Sequence, residues 1–200
     1  MESYKCPRYN RTDDYIFVKA VSPINIALIK YWGKTDDKLI MPANDSVSIT
    51  IDPTDLCTNT EIRLYKCDNS SIKLILNDKE VEITERISRV IQTIKSRADL
   101  NATLECIDDQ TNQIHSFQMA DVLKRRIEIK SNNNFPTAAG LASSSSGLSC
   151  LSIALAALYK FQEKFYMEKT VLARLGSGSA CRSLQGGFVK WSKGTSSQGK

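Results

Sequence analysis

The stretch from Leu141 to Tyr159 carries no charged side chain, and no other segment limits the fold so severely. A run of that kind is either buried on most sides within a core or passes into a bilayer. Its six serines and one glycine separate the two. The serines gather at the amino end and no anchoring flank follows, so the reading is a buried helix, with no membrane partner. Such a helix needs other elements to cover it. At 200 residues, 42% hydrophobic and 24% charged, the chain suffices for one domain with a real core, and two independent domains are not expected.

Residues 1–14 read as a polar leader, and 15–192 as the domain. Tyr15–Val21 and Ile24–Ile29 read as strands parted by Ser22-Pro23, because proline interrupts a ladder. Gly33–Asp37 reads as a loop. Val47–Ile51 alternates as a half-buried strand does, and Ile62–Tyr65 and Ile72–Leu76 repeat the pattern around an Asp68-Asn69-Ser70 turn. Thr84 followed by Ile87, Val90, Ile91 and Ile94 predicts a capped amphipathic helix to about Ala98. Asp108–Gln118 reads as an exposed loop, Ile127–Lys130 as a strand, Glu168–Leu175 as a helix, Gly187–Trp191 as a strand and 193–200 as a linker-like end. Early strands with later helices predict an α+β or mixed α/β sandwich, its largely antiparallel sheet covered by helices on one face.

A net charge of +5 favours anionic ligands such as phosphates, yet no basic run interleaved with aromatics marks a nucleic-acid reader, so no nucleic-acid partner is expected. Six scattered cysteines, without a CxxC pair and with one histidine, make a zinc site improbable. No apolar secretion segment opens the sequence, and the thiols read as reduced and cytoplasmic.

The passage Asn133–Gly147 carries the most chemistry. Glycine and small residues allow a close backbone approach, and the apolar run behind them supplies a helix whose free N–H groups and positive dipole end suit a phosphate. Serine hydroxyls there suit phosphate oxygens or Mg²⁺. Generic physics equally allows a serine-capped helix in a small-residue packing interface. A Walker A loop is excluded, because no Gly-Lys-Ser/Thr follows the glycine.

Pro136–Ser144 fits the Pro-x-x-x-Gly-Leu-x-Ser-Ser motif of the GHMP kinase superfamily, and Asn133–Ser144 resembles the form found in mevalonate diphosphate decarboxylases. Pro23–Lys34 resembles that family's Pro-x-Asn-Ile-Ala-x-x-Lys-Tyr-Trp-Gly-Lys, and Gly176–Ser183 its Gly-Ser-Gly-Ser-Ala-Cys-Arg-Ser. The resemblance covers about Val21 to Trp191. It implies a GHMP-kinase-type amino-terminal domain (ribosomal protein S5 domain 2-like), ATP and Mg²⁺ as cofactors, and mevalonate diphosphate as substrate. It also implies isopentenyl diphosphate as product within isoprenoid and sterol synthesis.

By the same resemblance Ala139, Gly140, Leu141, Ala142, Ser143 and Ser144 hold the nucleotide, with Ser144 on the metal. Tyr31, Trp32, Gly33, Lys34, Lys79, Ser177, Gly178, Ser179, Ala180 and Cys181 contact substrate. Lys30 lends positive charge, and Arg182 grips the carboxylate in a bidentate fork. Asp45, Lys79 and Ser145-Ser146 depart from the family pattern, which usually has serine, arginine and two alanines there. Family members are longer, carry a catalytic aspartate in a carboxyl-terminal domain and are commonly homodimers. That domain and aspartate have no counterpart here, so the chain alone is expected to be inactive and to expose apolar surface. Another mevalonate-pathway kinase, or a non-catalytic short form that binds a partner, are the alternative readings.

Overall fold

The computed structural model describes residues 5–67, 71–136 and 140–193. The elements run β1 (Arg8–Asn10), β2 (Tyr15–Pro23), β3 (Asn25–Ile29), β4 (Lys34–Asp36), β5 (Met41–Pro42), β6 (Ser46–Thr50), β7 (Cys57–Tyr65), β8 (Ile72–Leu76) and β9 (Lys79–Val81). They continue as α1 (Glu85–Lys95), β10 (Thr103–Asp108), β11 (Ile114–Gln118), α2 (Met119–Val122), β12 (Arg126–Asn133), α3 (Ser143–Leu158) and α4 (Glu168–Gly176). A 3₁₀ segment, Gly178–Leu184, leads into β13 (Gly187–Trp191).

An eight-stranded sheet in the order β11-β10-β1-β2-β7-β12-β8-β9 forms one layer. Its pairs are antiparallel except β1 with β10 and β12 with β8. β13, β6 and β3 form a second, three-stranded sheet, and β4 pairs with β5. This is the α+β architecture the element pattern predicts.

Alternation along β2, β7 and β12 sends Ile16, Val18, Ile62, Leu64, Ile127 and Ile129 into the core, where α3 covers them and α1 packs in turn on α3 and α4. Each such side chain, fully buried, contributes roughly 1.5–3 kcal/mol. α3 is buried nearly all round, from Ser145 to Leu158, so it reads as apolar throughout and not amphipathic. α1 instead buries one stripe, Val90, Ile91 and Ile94, and the Thr84 hydroxyl accepts from the Ile87 N–H to cap its start. No helix among the described residues is long and apolar enough to cross a membrane.

The core is graded. Toward the amino end of α3 the apolar residues give way to Ser22, Thr58, Thr60 and Ser131 from the sheet and Ser145, Ser146 and Ser149 from the helix, all buried. Hydroxyl pairs satisfy several of them: Thr58 with Ser146 at 2.6 Å and Thr60 with Ser131 at 2.9 Å. Buried hydroxyls are costly unless bonded, so this end of the core is built around a specific polar lattice.

Five expectations need correction. Within the leader, Arg8–Asn10 is a strand, paired with β2 and β10. β2 runs through Ser22-Pro23, with Pro23 at its last position opposite Cys57. The Gly33–Asp37 loop contains β4. Asp108–Gln118 is mostly ordered: β11 pairs with β10, Leu104 opposite Phe117 and Cys106 opposite His115. β11 is an edge strand whose outward residues include Ser116 and Gln118, so its apolar alternation is too brief to read. Ile62–Tyr65 and Ile72–Leu76 are not hairpin partners, because β12 lies between them. The Asp68-Asn69-Ser70 turn and residues 194–200 of the linker-like end lie outside the described residues.

Candidate active site

The lead-in to the cradle is pinned to the start of β7. The Cys57 N–H donates to Asn134 Oδ1 at 2.9 Å, the Thr58 hydroxyl donates to Asn133 Oδ1 at 2.7 Å, and Asn134 Nδ2 donates to the Asp55 carbonyl at 2.7 Å. Gly140 has φ +74° and Ala142 +53°, left-handed conformations that turn the chain sharply into α3. No side chain caps the first turn of α3. The Ser145 and Ser146 N–H groups donate to the Ala142 carbonyl at 2.9 and 3.3 Å, and those of Ser143 and Ser144 are left to a ligand.

That turn borders a cavity of about 610 Å³. Ser143, Ser144, Gly147 and Ser177 line one side, Leu74, Leu76 and Ile129 of the sheet another, and Thr84, Arg86 and Ile87 of the α1 start a third. A Cβ on Gly147 would meet nothing within 4 Å, so the wall there is open to an occupant. An apolar slot ending at an uncapped helix start suits a flat ring carrying phosphates. Of the resemblance-based residues, Ser143 and Ser144 line this cavity, Gly140, Leu141 and Ala142 precede them in the chain without lining it, and Ala139 lies outside the described residues. The sheet walls and the α1 start were missed, because no local motif marks them.

Ser145 and Ser146 turn the other way. Asn25 Nδ2 donates to Ser145 Oγ at 2.8 Å, to Ser183 Oγ at 2.7 Å and to the Ser179 carbonyl at 3.2 Å. One buried amide thus joins β3, the α3 start and the 3₁₀ segment. The two serines that depart from the family pattern hold the frame, and Ser143 and Ser144 face the cavity.

The second cluster surrounds Arg182, which is only 3% exposed. Its Nε and Nη1 donate to Ser48 and Ser46 hydroxyls, each at 3.1 Å, and its carbonyl accepts from Thr50 Oγ1 at 3.1 Å. No carboxylate of the described residues pairs with it. Burial lowers its pKa, partly offset by Cys181 and Tyr31, without threatening the charge of a guanidinium. Tyr31 packs edge-on against Trp191, with centroids 5.0 Å apart, and a Cβ on Gly178 would stand 2.6 Å from the Tyr31 hydroxyl. Only glycine admits the phenol there. Ala180 and Cys181 are buried, and burial pushes the Cys181 thiol up to about 11, so it is an inert packing group.

Asn44 shapes the Lys30–Lys34 segment. Its Oδ1 accepts from the Trp32 N–H at 2.9 Å and its Nδ2 donates to the Lys30 carbonyl at 3.0 Å. Lys30 is exposed and has no ion pair among the described residues, Trp32 is 82% exposed, and Lys34 Nζ lies 3.3 Å from Asp37. The Asp45 carboxylate accepts from Lys190 Nζ at 2.8 Å and the Lys193 N–H at 2.6 Å, bonds that hold it below the usual range. It is a tie to β13. Lys79 stands apart on β9, exposed at the outer edge of the large sheet, and joins neither cluster.

An α+β layer with an uncapped, serine-rich helix start beside a buried arginine defines a GHMP-kinase-type amino-terminal domain. Residues 22–200 match the family described as diphosphomevalonate decarboxylase-like N-terminal domain. The chain belongs to that family. It is 46% identical over 175 residues to the diphosphomevalonate decarboxylase of Ganoderma lucidum, covering 88% of this chain and 41% of that one. The human enzyme is 38% identical over 184 residues, covering 92% and 42%.

Among solved structures, mevalonate diphosphate decarboxylase from Trypanosoma brucei superposes with a TM-score of 0.71 at 38% identity, covering 90% of this chain and 42% of that one. The decarboxylase from Enterococcus faecalis, solved in a study of mevalonate diphosphate-mediated ATP binding, gives 0.67 at 35%, covering 91% and 49%. A further neighbour, solved with MVAPP, AMPPCP and magnesium, gives 0.68 at 34%, covering 91% and 48%. The chain therefore spans less than half the length of these relatives.

Proposed function

We propose that the chain is the ligand-binding half of an ATP-dependent decarboxylase that converts mevalonate 5-diphosphate and ATP to isopentenyl diphosphate, carbon dioxide, phosphate and ADP, a step of isoprenoid and sterol synthesis. The observation that carries the reading is Arg182, a buried guanidinium held by two serine hydroxyls with no carboxylate beside it. A buried cation so placed is stabilised by an anionic ligand, and a planar fork favours a carboxylate.

In this reading Arg182 fixes the substrate carboxylate and Tyr31 packs beside it. Lys30 and Lys34, at the exposed end of β3, supply charge to the diphosphate. The N–H groups of Ser143 and Ser144 take the ATP phosphates, and the exposed Ser144 hydroxyl is the natural Mg²⁺ ligand. Mg²⁺, when bound, would offset phosphate charge. Ser177 lines the cavity, and with Gly178 and Ser179 it begins the segment that presents Arg182. Trp32 and Gly33 shape the lysine-bearing turn, and Lys79 has the least support of the candidate contacts. Pairing of two copies as a homodimer belongs to the same proposal.

In this reading the proton of the substrate hydroxyl is taken by a group that the described residues do not supply. The chain alone then binds both ligands and turns neither over. Calorimetry with mevalonate 5-diphosphate and with ATP tests this, alongside release of labelled carbon dioxide. Arg182→Gln should weaken mevalonate 5-diphosphate by roughly tenfold or more, the worth of a charged hydrogen-bond pair, and leave ATP unaffected. A wild-type chain that binds ATP and ignores mevalonate 5-diphosphate would instead fit a different kinase of the superfamily.

A further inference from the structure

The role of Arg182 depends on the plane in which its guanidinium lies. A fork can meet a carboxylate with two parallel hydrogen bonds only from one orientation. Two serine hydroxyls accept from Nε and Nη1 and hold one edge of the guanidinium in its plane. A third neighbour bears on its face. The Arg182 guanidinium carbon lies 5.8 Å from the ring centroid of Trp191, within the range in which a cation is drawn to the face of an indole. The same ring meets Tyr31 edge-on.

Trp191 is the last residue of β13 and sits opposite Ser46, whose hydroxyl accepts from Arg182 Nη1. One backbone register therefore delivers both the ring and the hydroxyl to the same guanidinium. The far side of the ring borders a separate pocket with Met41, Met167, Val171 and Cys181, so its contacts to Tyr31 and Arg182 are what orient it.

We propose that Trp191 is a positioning residue for substrate recognition: its indole orients Arg182 and Tyr31 so that the guanidinium reads the substrate carboxylate. The inference rests on the decarboxylase reading above and adds the group that gives it carboxylate selectivity. Nothing in the motif Gly-Ser-Gly-Ser-Ala-Cys-Arg-Ser points to it, because the ring arrives from the next strand.

The test compares two ligands that share the diphosphate and differ in the carboxylate, mevalonate 5-diphosphate and isopentenyl diphosphate, by calorimetry on the full chain. Their Kd ratio measures carboxylate preference. A merely structural Trp191 would weaken both ligands alike and leave the ratio alone. Trp191→Met, which fills space without a π face, should reduce the preference by about tenfold, and Trp191→Phe, which keeps a face, should hold it within about threefold.

An unchanged ratio in Trp191→Met, beside a clear preference in the wild type, overturns the inference and leaves the decarboxylase reading standing. No preference in the wild type overturns both. Should Trp191→Met not fold, indole emission decides the matter through the part of the wild-type signal that the Trp191→Phe chain, whose one remaining tryptophan of two is Trp32, lacks. An emission change with mevalonate 5-diphosphate but not with isopentenyl diphosphate supports the inference, and an identical response to both overturns it.

Discussion

Four consecutive serines divide into two jobs because a helix turns about 100° per residue. Ser143 and Ser144 border the cavity, whereas Ser145 and Ser146 bond Asn25 and Thr58 in the interior. The hydroxyl string itself advertises a phosphate cradle, but its division into ligand and frame needs the helix phase, which the left-handed Ala142 sets. Gly178 is a second case. Its place in a glycine-serine string suggests flexibility, while the structure gives it a steric duty beneath Tyr31. Gly178→Ala should displace the phenol and weaken mevalonate 5-diphosphate by about tenfold. ATP binding and the thermal midpoint should change little, because the displaced atoms are the outer end of one side chain. Calorimetry and a melting scan on the same sample decide it.

Elements with a strong period were legible: α3, α4 and β13 fall within a residue or two of where the sequence puts them, and α1 starts at its threonine cap and ends three residues early, at Lys95. Sheet order was not, since β8 passes β7 to lie along β12 and no local pattern encodes that neighbour. The join between α1 and α4 is equally non-local. Glu168, at the start of α4, pairs with Arg97, accepts from the Lys164 N–H at 2.7 Å, and lies beside an Arg97 guanidinium stacked 4.2 Å from the Phe161 centroid. Burial works to raise the Glu168 carboxyl, yet the Arg97 and Lys164 bonds overcome it and the pKa is lowered. A carboxylate depressed in the folded state adds stability above its unfolded pKa, about 4.3, and loses that contribution as pH falls through the folded value. Urea midpoints should therefore drop below about pH 4.3 in the wild type. Glu168→Gln should flatten that part of the profile and cost about 1.5 kcal/mol near neutral pH by removing a charge-assisted bond from the part-buried Arg97.

At the scale of the molecule, the small sheet is inverted. Strict alternation along Val47–Ile51 suggests apolar residues inside, yet Ser46, Ser48 and Thr50 are the buried ones, because the interior there is organised by Arg182 and Asn25. The other face presents Ile26, Ile49 and Phe188 in register across three strands, with Phe188 77% exposed. A sequence period fixes which residues share a face, not which face the protein covers. Such an apolar patch promotes association, so Phe188→Lys should reduce self-association in sedimentation velocity while changing stability by no more than about 0.5 kcal/mol. The graded core has a consequence of its own in time. Amides in the last two turns of α3, ringed by Leu155, Leu158 and Tyr159, can exchange with deuterium only when the whole domain opens, while those of its first turns, set among hydroxyls, open by local fluctuation. One helix should thus show two clocks, the fast one beside the cavity and the slow one at the far end, and a ligand held by the first turn should slow only the fast clock.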